Sequence, residues 1–330
     1  MTADRTMHPL KRGVTYLAEG GQETEVIYKH GFDLPHFAMF VLIDDPRAME
    51  VVSDMYRRYL DVAARHGFGA ILGGLDYRAS PDWAALLGLS NGALADIQRR
   101  CTEFLRDVSQ PYAEHLPDIV ITGVLGPRGD AYQLNRDITA DEAEEYHGVQ
   151  MATLRAVGVD MAHAMTFNNV AEAIGVSRAA ASNDLPLCVS FTVDETAHLQ
   201  SGPSLRQAIA AVDEAAGDAR PTFYGINCSH PSEFAPALDP GDWISRIASI
   251  RPNAAQMEKI ALCQLGHLES GDPLELGRQL GAIAERYPHI NVWGGCCGTW
   301  DDHLDSIAAS VAAVRNKDPS ATDRGPPSAH

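Results

Sequence analysis

The chain has 330 residues, and 26 Lys plus Arg against 44 Asp plus Glu leave a formal charge of −18. That field repels nucleic-acid phosphates and anionic lipid, so neither is expected as a partner. With 45% hydrophobic and 21% charged residues the composition is that of a globular enzyme, not a disordered chain. No apolar run reaches the roughly 18 residues of a spanning helix. The N-terminus lacks the apolar core of a signal peptide, so a cytoplasmic, reducing setting is expected. Six Cys are too few for a disulfide scaffold.

In chain order, short apolar runs of strand type fall at 14–18, 69–75, 118–126 and 159–165, then at 187–193, 222–228, 259–265 and 290–296. Helical patterns separate them. Val52, Met55, Tyr56, Tyr59 and Ala63 mark one face of a helix over about 47–66. Thr139 and Glu142 form a capping-box signature that opens a helix to about 157. Leu304, Ile307, Ala308, Val311 and Val314 stripe the last helix. Eight strands alternating with helices predict an α/β fold, a (β/α)8 TIM barrel in one domain over 1–315. The tail, 316–330, is expected to be disordered. A doubly wound open sheet is the alternative, weakened by the absence of GxGxxG after the first strand.

In such a barrel, chemistry gathers at the C-terminal ends of the strands. The first run is followed by Glu19, Glu23 and Glu25 in an expected loop. The second ends at Asp76 and Tyr77, the fourth at Met165 and Thr166, the sixth at Asn227 and Cys228. The eighth ends at Cys296 and Cys297, with Trp300 close behind. Cys101, Cys188 and Cys263 lie elsewhere and read as small buried apolar residues. Cys228, Cys296 and Cys297 could be packing residues, redox-active thiols or metal ligands. Three thiolates at about 2.3 Å suit Zn²⁺ and leave its fourth position open, the mark of a catalytic site. Adjacent cysteines can share an ion only where the backbone turns, and Gly294, Gly295 and Gly298 supply that freedom.

The segments GINCSHP and VWGGCCGTWDDHL resemble the two zinc-binding segments of the zinc-dependent homocysteine S-methyltransferase family, whose members use betaine, S-methylmethionine or a methylated cobalamin as donor. LAEGGQETEVIYKHG, ITGVLGPRGDAY and LCVSFTVDETAHLQSGPSLRQAI are similar to further family segments in the same order. The resemblance covers about 14–314. It implies one Zn²⁺ held by Cys228, Cys296 and Cys297, which are thereby the catalytic residues. It also implies methyl transfer from a small sulfonium or quaternary ammonium donor to a thiolate, homocysteine first, giving methionine. Zinc deprotonates a thiol whose free pKa is near 8.5. A corrinoid donor is not expected as a built-in feature, since one barrel fills the chain. A homo-oligomer is compatible with the chain.

Several positions depart from the family pattern. Glu19 stands for the usual Asp, Glu23 for a Gly, and Leu75-Asp76-Tyr77 for Asn-Thr-Tyr. Met165 stands where the family carries a Glu that holds the amino group of homocysteine. Glu19, Glu23 and Asp76 are therefore candidate replacement carboxylates. Tyr77 and Trp300 are candidates for an onium pocket through cation–π contact. Met165 and Thr166 are expected at the acceptor, and Asn227 is expected to orient a ligand. His163, His230 and His303 are expected to be non-ligands. The alternatives are a methyltransferase for a different, non-amino thiol and a non-catalytic zinc- or thiol-binding barrel. A barrel lyase or hydrolase lacks a lysine at a strand end, because Lys259 begins the expected seventh strand on the wrong face.

Overall fold

The computed structural model describes residues 9–131, 135, 137–256 and 269–317. Eight strands run in order around a closed parallel barrel. They are β1 (Tyr16–Ala18), β2 (Gly69–Leu72), β3 (Ile119–Leu125), β4 (Met161–Phe167), β5 (Leu187–Phe191), β6 (Phe223–Asn227), β7 (Ile247–Arg251) and β8 (Val292–Trp293). β8 closes on β1 through Tyr16 opposite Val292 and Leu17 opposite Trp293. The architecture is the expected TIM barrel.

The seventh strand is not where the apolar pattern puts it. β7 is Ile247–Arg251, and the run at 259–265, with Lys259 and Cys263, lies outside the described residues. Two local features hide β7. Ser249 and Arg251 interrupt its hydrophobic run, although both are buried. The β6–β7 connection also lacks a long helix: it carries only Pro231–Phe234 and 3-10 turns at Ala235–Ala237 and Asp242–Arg246. The segment expected as a loop after β1 is instead the helix Gln22–Tyr28. The last helix, Asp301–Lys317, takes in two residues assigned to the tail, and 318–330 lie outside the described residues.

Helix ends follow the local chemistry. Asp45 caps the helix Pro46–His66, accepting from the N–H groups of Arg47 at 2.9 Å and Ala48 at 3.3 Å. That helix stops at Gly67, whose φ of 69° is left-handed. The capping box at Thr139 and Glu142 is formed and opens Ala140–Val157. Most of the apolar core lies between the barrel and its helices. A second cluster plugs the barrel interior and includes Tyr16, Ile71, Val120, Met161, Cys188, Phe223 and Val292. Burying each such side chain is worth roughly 1.5–3 kcal/mol for an aliphatic or Phe. The plug gives the barrel a packed floor beneath the strand ends. Among the described residues no helix is long and apolar enough to cross a membrane.

Candidate metal centre

Three thiols meet above β6 and β8. The Sγ atoms of Cys228, Cys296 and Cys297 all lie within 4.8 Å of one another. Cys228 is 3.7 Å from Cys297 and 2.7 Å from Cys296, and all three are free thiols. Two sulfurs bound at about 2.3 Å on one tetrahedral ion stand about 3.8 Å apart, close to the first distance. The second is longer than the roughly 2.05 Å of a disulfide. Hydrogen bonds to Cys228 and burial push the Cys296 and Cys297 thiols above their ordinary range. Three thiols this close cannot all ionise without a cation, and a dication removes their protons together. The donor set thus fits a metal ion.

Backbone geometry brings them together. Cys228 follows β6 with φ of 55°, a left-handed conformation that costs a non-glycine residue of order 1–3 kcal/mol. Of the surrounding glycines only Gly298, at φ 80°, uses the conformational freedom expected of all three. Gly295 serves a different need: a Cβ there would stand 2.0 Å from Thr299 Oγ1. The loop after β1 packs just as tightly, since a Cβ on Gly21 would lie 2.4 Å from the Cys296 carbonyl oxygen. Gly21 N–H donates to the Thr299 carbonyl at 2.7 Å and stitches the two loops together.

Asn227, fully buried, sits behind the thiols. Its Nδ2 faces Cys296 Sγ at 3.9 Å and donates to Thr166 Oγ1 at 2.9 Å, while its Oδ1 accepts from Thr166 N–H at 2.8 Å. Arg251, at the end of β7, is the residue that the misplaced strand concealed. Its guanidinium reaches β1, β4 and the β8 loop. Nη2 pairs with the Glu19 carboxylate at 2.9 Å, Nη1 approaches Met165 Sδ at 3.6 Å, and Nε donates to the Gly295 carbonyl at 3.2 Å.

Above the thiols is a cavity of about 340 Å³, within the range of small-molecule sites. Cys228, Cys296, Cys297, Met165, Thr166 and Asn227 form its lower wall, and Glu23, Tyr77, Arg78 and Arg251 face it. Ile27, Tyr28 and Phe37 add an apolar rim. The expected site residues thus separate into two groups. Glu23, Tyr77, Met165, Thr166 and Asn227 line the cavity. Glu19, Asp76 and Trp300 do not. Glu19 is taken up by Arg251 and the Gly73 N–H. Asp76 accepts from Val124 N–H at 3.0 Å beneath the surface. Trp300 carries Lys29 Nζ 3.5 Å from its ring centroid. Glu25 turns to Tyr59 Oη at 2.9 Å and to Arg58. His163 bonds Ser190 Oγ at 2.7 Å, His230 bonds Ser232 Oγ at 2.9 Å, and His303 meets the Ser270 carbonyl at 2.6 Å.

A family model described as homocysteine S-methyltransferase matches residues 16–311. The chain belongs to the homocysteine S-methyltransferase family. Over 137 residues, 40% of its length, it is 32% identical to methionine synthase of Mycobacterium leprae (strain TN). It is 29% identical over 140 residues to methionine synthase of Mycobacterium tuberculosis (strain ATCC 25618 / H37Rv). The matched stretches span only 10% and 11% of those two proteins. The oxidized form of the homocysteine methyltransferase MmuM from Escherichia coli superposes with a TM-score of 0.70 at 22% identity, covering 92% of this chain and 99% of that one. Its metallated form gives 0.69 at 20% identity over 92% and 99%. At these identities the likeness is one of fold.

Of Glu19, Glu23 and Asp76, Glu23 is the one that lines the cavity. Burial, with the negative field of Cys228 as a smaller cause, lifts its carboxyl to about 7. Phe37, Tyr28 and Arg251 escape a motif-based reading. Phe37 comes from a segment that carries no strand-end signature, and Tyr28 ends the helix after β1, beyond the residues singled out there.

Proposed function

We propose that this chain is a zinc-dependent thiol S-methyltransferase that moves a methyl group from a small sulfonium or quaternary ammonium donor to homocysteine, giving methionine. The observation that carries this reading is the convergence of Cys228, Cys296 and Cys297 on the floor of a cavity that Glu23 also faces. Zinc held by these thiols would deprotonate the acceptor thiol and fix the place of its sulfur. Asn227 orients Cys296 from behind and holds the Thr166 corner of the pocket. Glu23 is placed to receive the acceptor's ammonium group. Its carboxyl, lifted to about 7 by burial, ionises more readily once a cation approaches. Tyr77, Tyr28 and Phe37 line the cavity and supply aromatic rings near an onium donor. The acceptor sulfur's electron pair makes the new C–S bond, and the donor heteroatom keeps the pair of the bond that breaks. No oxidant or reductant is needed.

A thiol without an amino group is the second reading. Met165 favours it, because a buried thioether cannot pair with an ammonium and packs well on a carbon chain. The test is a thiol-by-donor screen on zinc-loaded protein, without S-adenosylmethionine or cobalamin. Methionine formed from homocysteine and a sulfonium or betaine is the expected result. Turnover only with a methylated corrinoid protein would overturn direct transfer, and no product from any pair would leave a binding protein.

A further inference from the structure

Arg78, just after β2, faces the same cavity and has no part in the chemistry above. It is 8% exposed, so its charge is held largely away from bulk water. Its partners are few. Nη1 donates to the Gly129 carbonyl at 2.6 Å. The guanidinium carbon lies over Trp83, 4.4 Å from the ring centroid, and over Tyr77 at 5.3 Å. The buried Nε–H has no acceptor among the described residues, and no carboxylate there stands within ion-pair distance of this guanidinium. Arg251, the other arginine among the described residues that line the cavity, pairs with Glu19. Glu23 feels the field of both arginines, so it shares the cavity with them. Asp130 and Glu269 line it too and have contacts of their own.

A guanidinium offers five N–H donors in a planar fork that matches a carboxylate. Holding such a group dry with one carbonyl partner and two ring faces is costly unless a ligand supplies the missing oxygens. The two rings hold the guanidinium in place without satisfying its N–H groups.

We infer that Arg78 is a specificity-determining residue that binds a substrate carboxylate in this cavity. This rests on the methyltransferase reading above. The carboxylate could belong to the acceptor, an amino-acid or mercapto-acid thiol, or to a zwitterionic onium donor such as a betaine. The physical requirement is the same: an anionic fork opposite the Arg78 edge.

The experiment is calorimetric binding to the metal-loaded protein, which needs no turnover. In the acceptor arm, methionine is compared with 3-(methylthio)propylamine, which lacks the carboxylate. In the donor arm, glycine betaine is compared with ethyltrimethylammonium. Both pairs are measured in wild type, Arg78→Met and Arg78→Lys, with thermal melts to confirm folding. Deleting the carboxylate should weaken binding about a hundredfold in one arm of the wild type, the size of a lost charge-assisted pair. In Arg78→Met the same deletion should change affinity by less than about threefold, with Arg78→Lys between. The arm that responds names the substrate Arg78 reads. The inference is overturned if wild type ignores the carboxylate in both arms, or if the penalty persists in Arg78→Met. An absence of turnover alongside the expected binding pattern would sink the methyltransferase reading and leave Arg78 a carboxylate anchor.

Discussion

Asn227 grips Thr166 twice, accepting from its backbone N–H at 2.8 Å and donating to its hydroxyl at 2.9 Å. The pair ties the end of β6 to the end of β4 beside the thiols. Thr166 needs that tie, because its φ of 64° is left-handed. Asn227→Ala leaves a buried N–H unpartnered and should cost about 1–3 kcal/mol in urea unfolding. Metal affinity, read by competition with a chromogenic chelator, should fall about 10- to 100-fold. Asn227→Asp keeps the acceptor but buries a carboxyl beside the thiols, so it should recover stability only at acid pH, where that carboxyl is neutral.

Metal retention follows the three thiols. Elemental analysis of purified protein should give about one zinc per chain. Cys228→Ala and Cys296→Ala should each abolish both zinc and activity, whereas Cys101→Ala, in a buried helix position, should retain the metal. Full zinc occupancy in Cys228→Ala would refute the assignment.

Glu23 makes the acceptor test specific. If it holds the ammonium of homocysteine, Glu23→Gln should raise KM roughly a hundredfold, about 2.7 kcal/mol, with little change in kcat. In wild type KM should rise as pH falls through about 7, where burial keeps the carboxyl protonated. The variant should lose that dependence. 4-Mercaptobutyrate outperforming homocysteine, with Glu23→Gln silent, would make the amino-acid acceptor wrong.

Asp76 carries a stability signature. Burial raises its carboxyl from 3.8 to about 7. A carboxyl with a raised folded pKa binds its proton more tightly in the native state. Its contribution is therefore greatest below about pH 4, declines from there to about pH 7, and is flat above. Asp76→Asn preserves an acceptor for the Val124 N–H. It should stabilise the fold more at pH 8 than at pH 5, by a difference of order 2–4 kcal/mol in urea unfolding. Equal shifts at both pH values would rule out a neutral buried Asp76.

Gly21 is required for close approach, not for an unusual φ. Gly21→Ala places a methyl 2.4 Å from the Cys296 carbonyl oxygen, and backbone must move. A loss of about 1–3 kcal/mol is expected in thermal unfolding, together with weakened metal binding. Unaltered zinc affinity would show that the β1 loop does not hold the cysteine pair in place.

Much of this protein is determined by local pattern. Strand-type runs separated by helical stripes specify the barrel, because each element must bury one apolar face and parallel strands need crossover helices. The capping box at Thr139 and the motifs around Cys228 and Cys296 are equally local, and the motifs alone suffice to propose a three-thiol centre. What the tertiary structure decided lies wherever neighbours come from distant strands. The pattern of β7 is broken by two buried polar residues, Ser249 and Arg251, and the partners of Arg251 lie elsewhere in the barrel. Glu19, Glu23 and Asp76 were equal candidates as carboxylates at one barrel face. Closure of the barrel gave Glu19 to Arg251, set Asp76 beneath the Val124 amide, and left Glu23 facing the cavity. A one-dimensional pattern records which groups can carry charge; only packing determines which of those charges meets a protein partner and which meets the ligand.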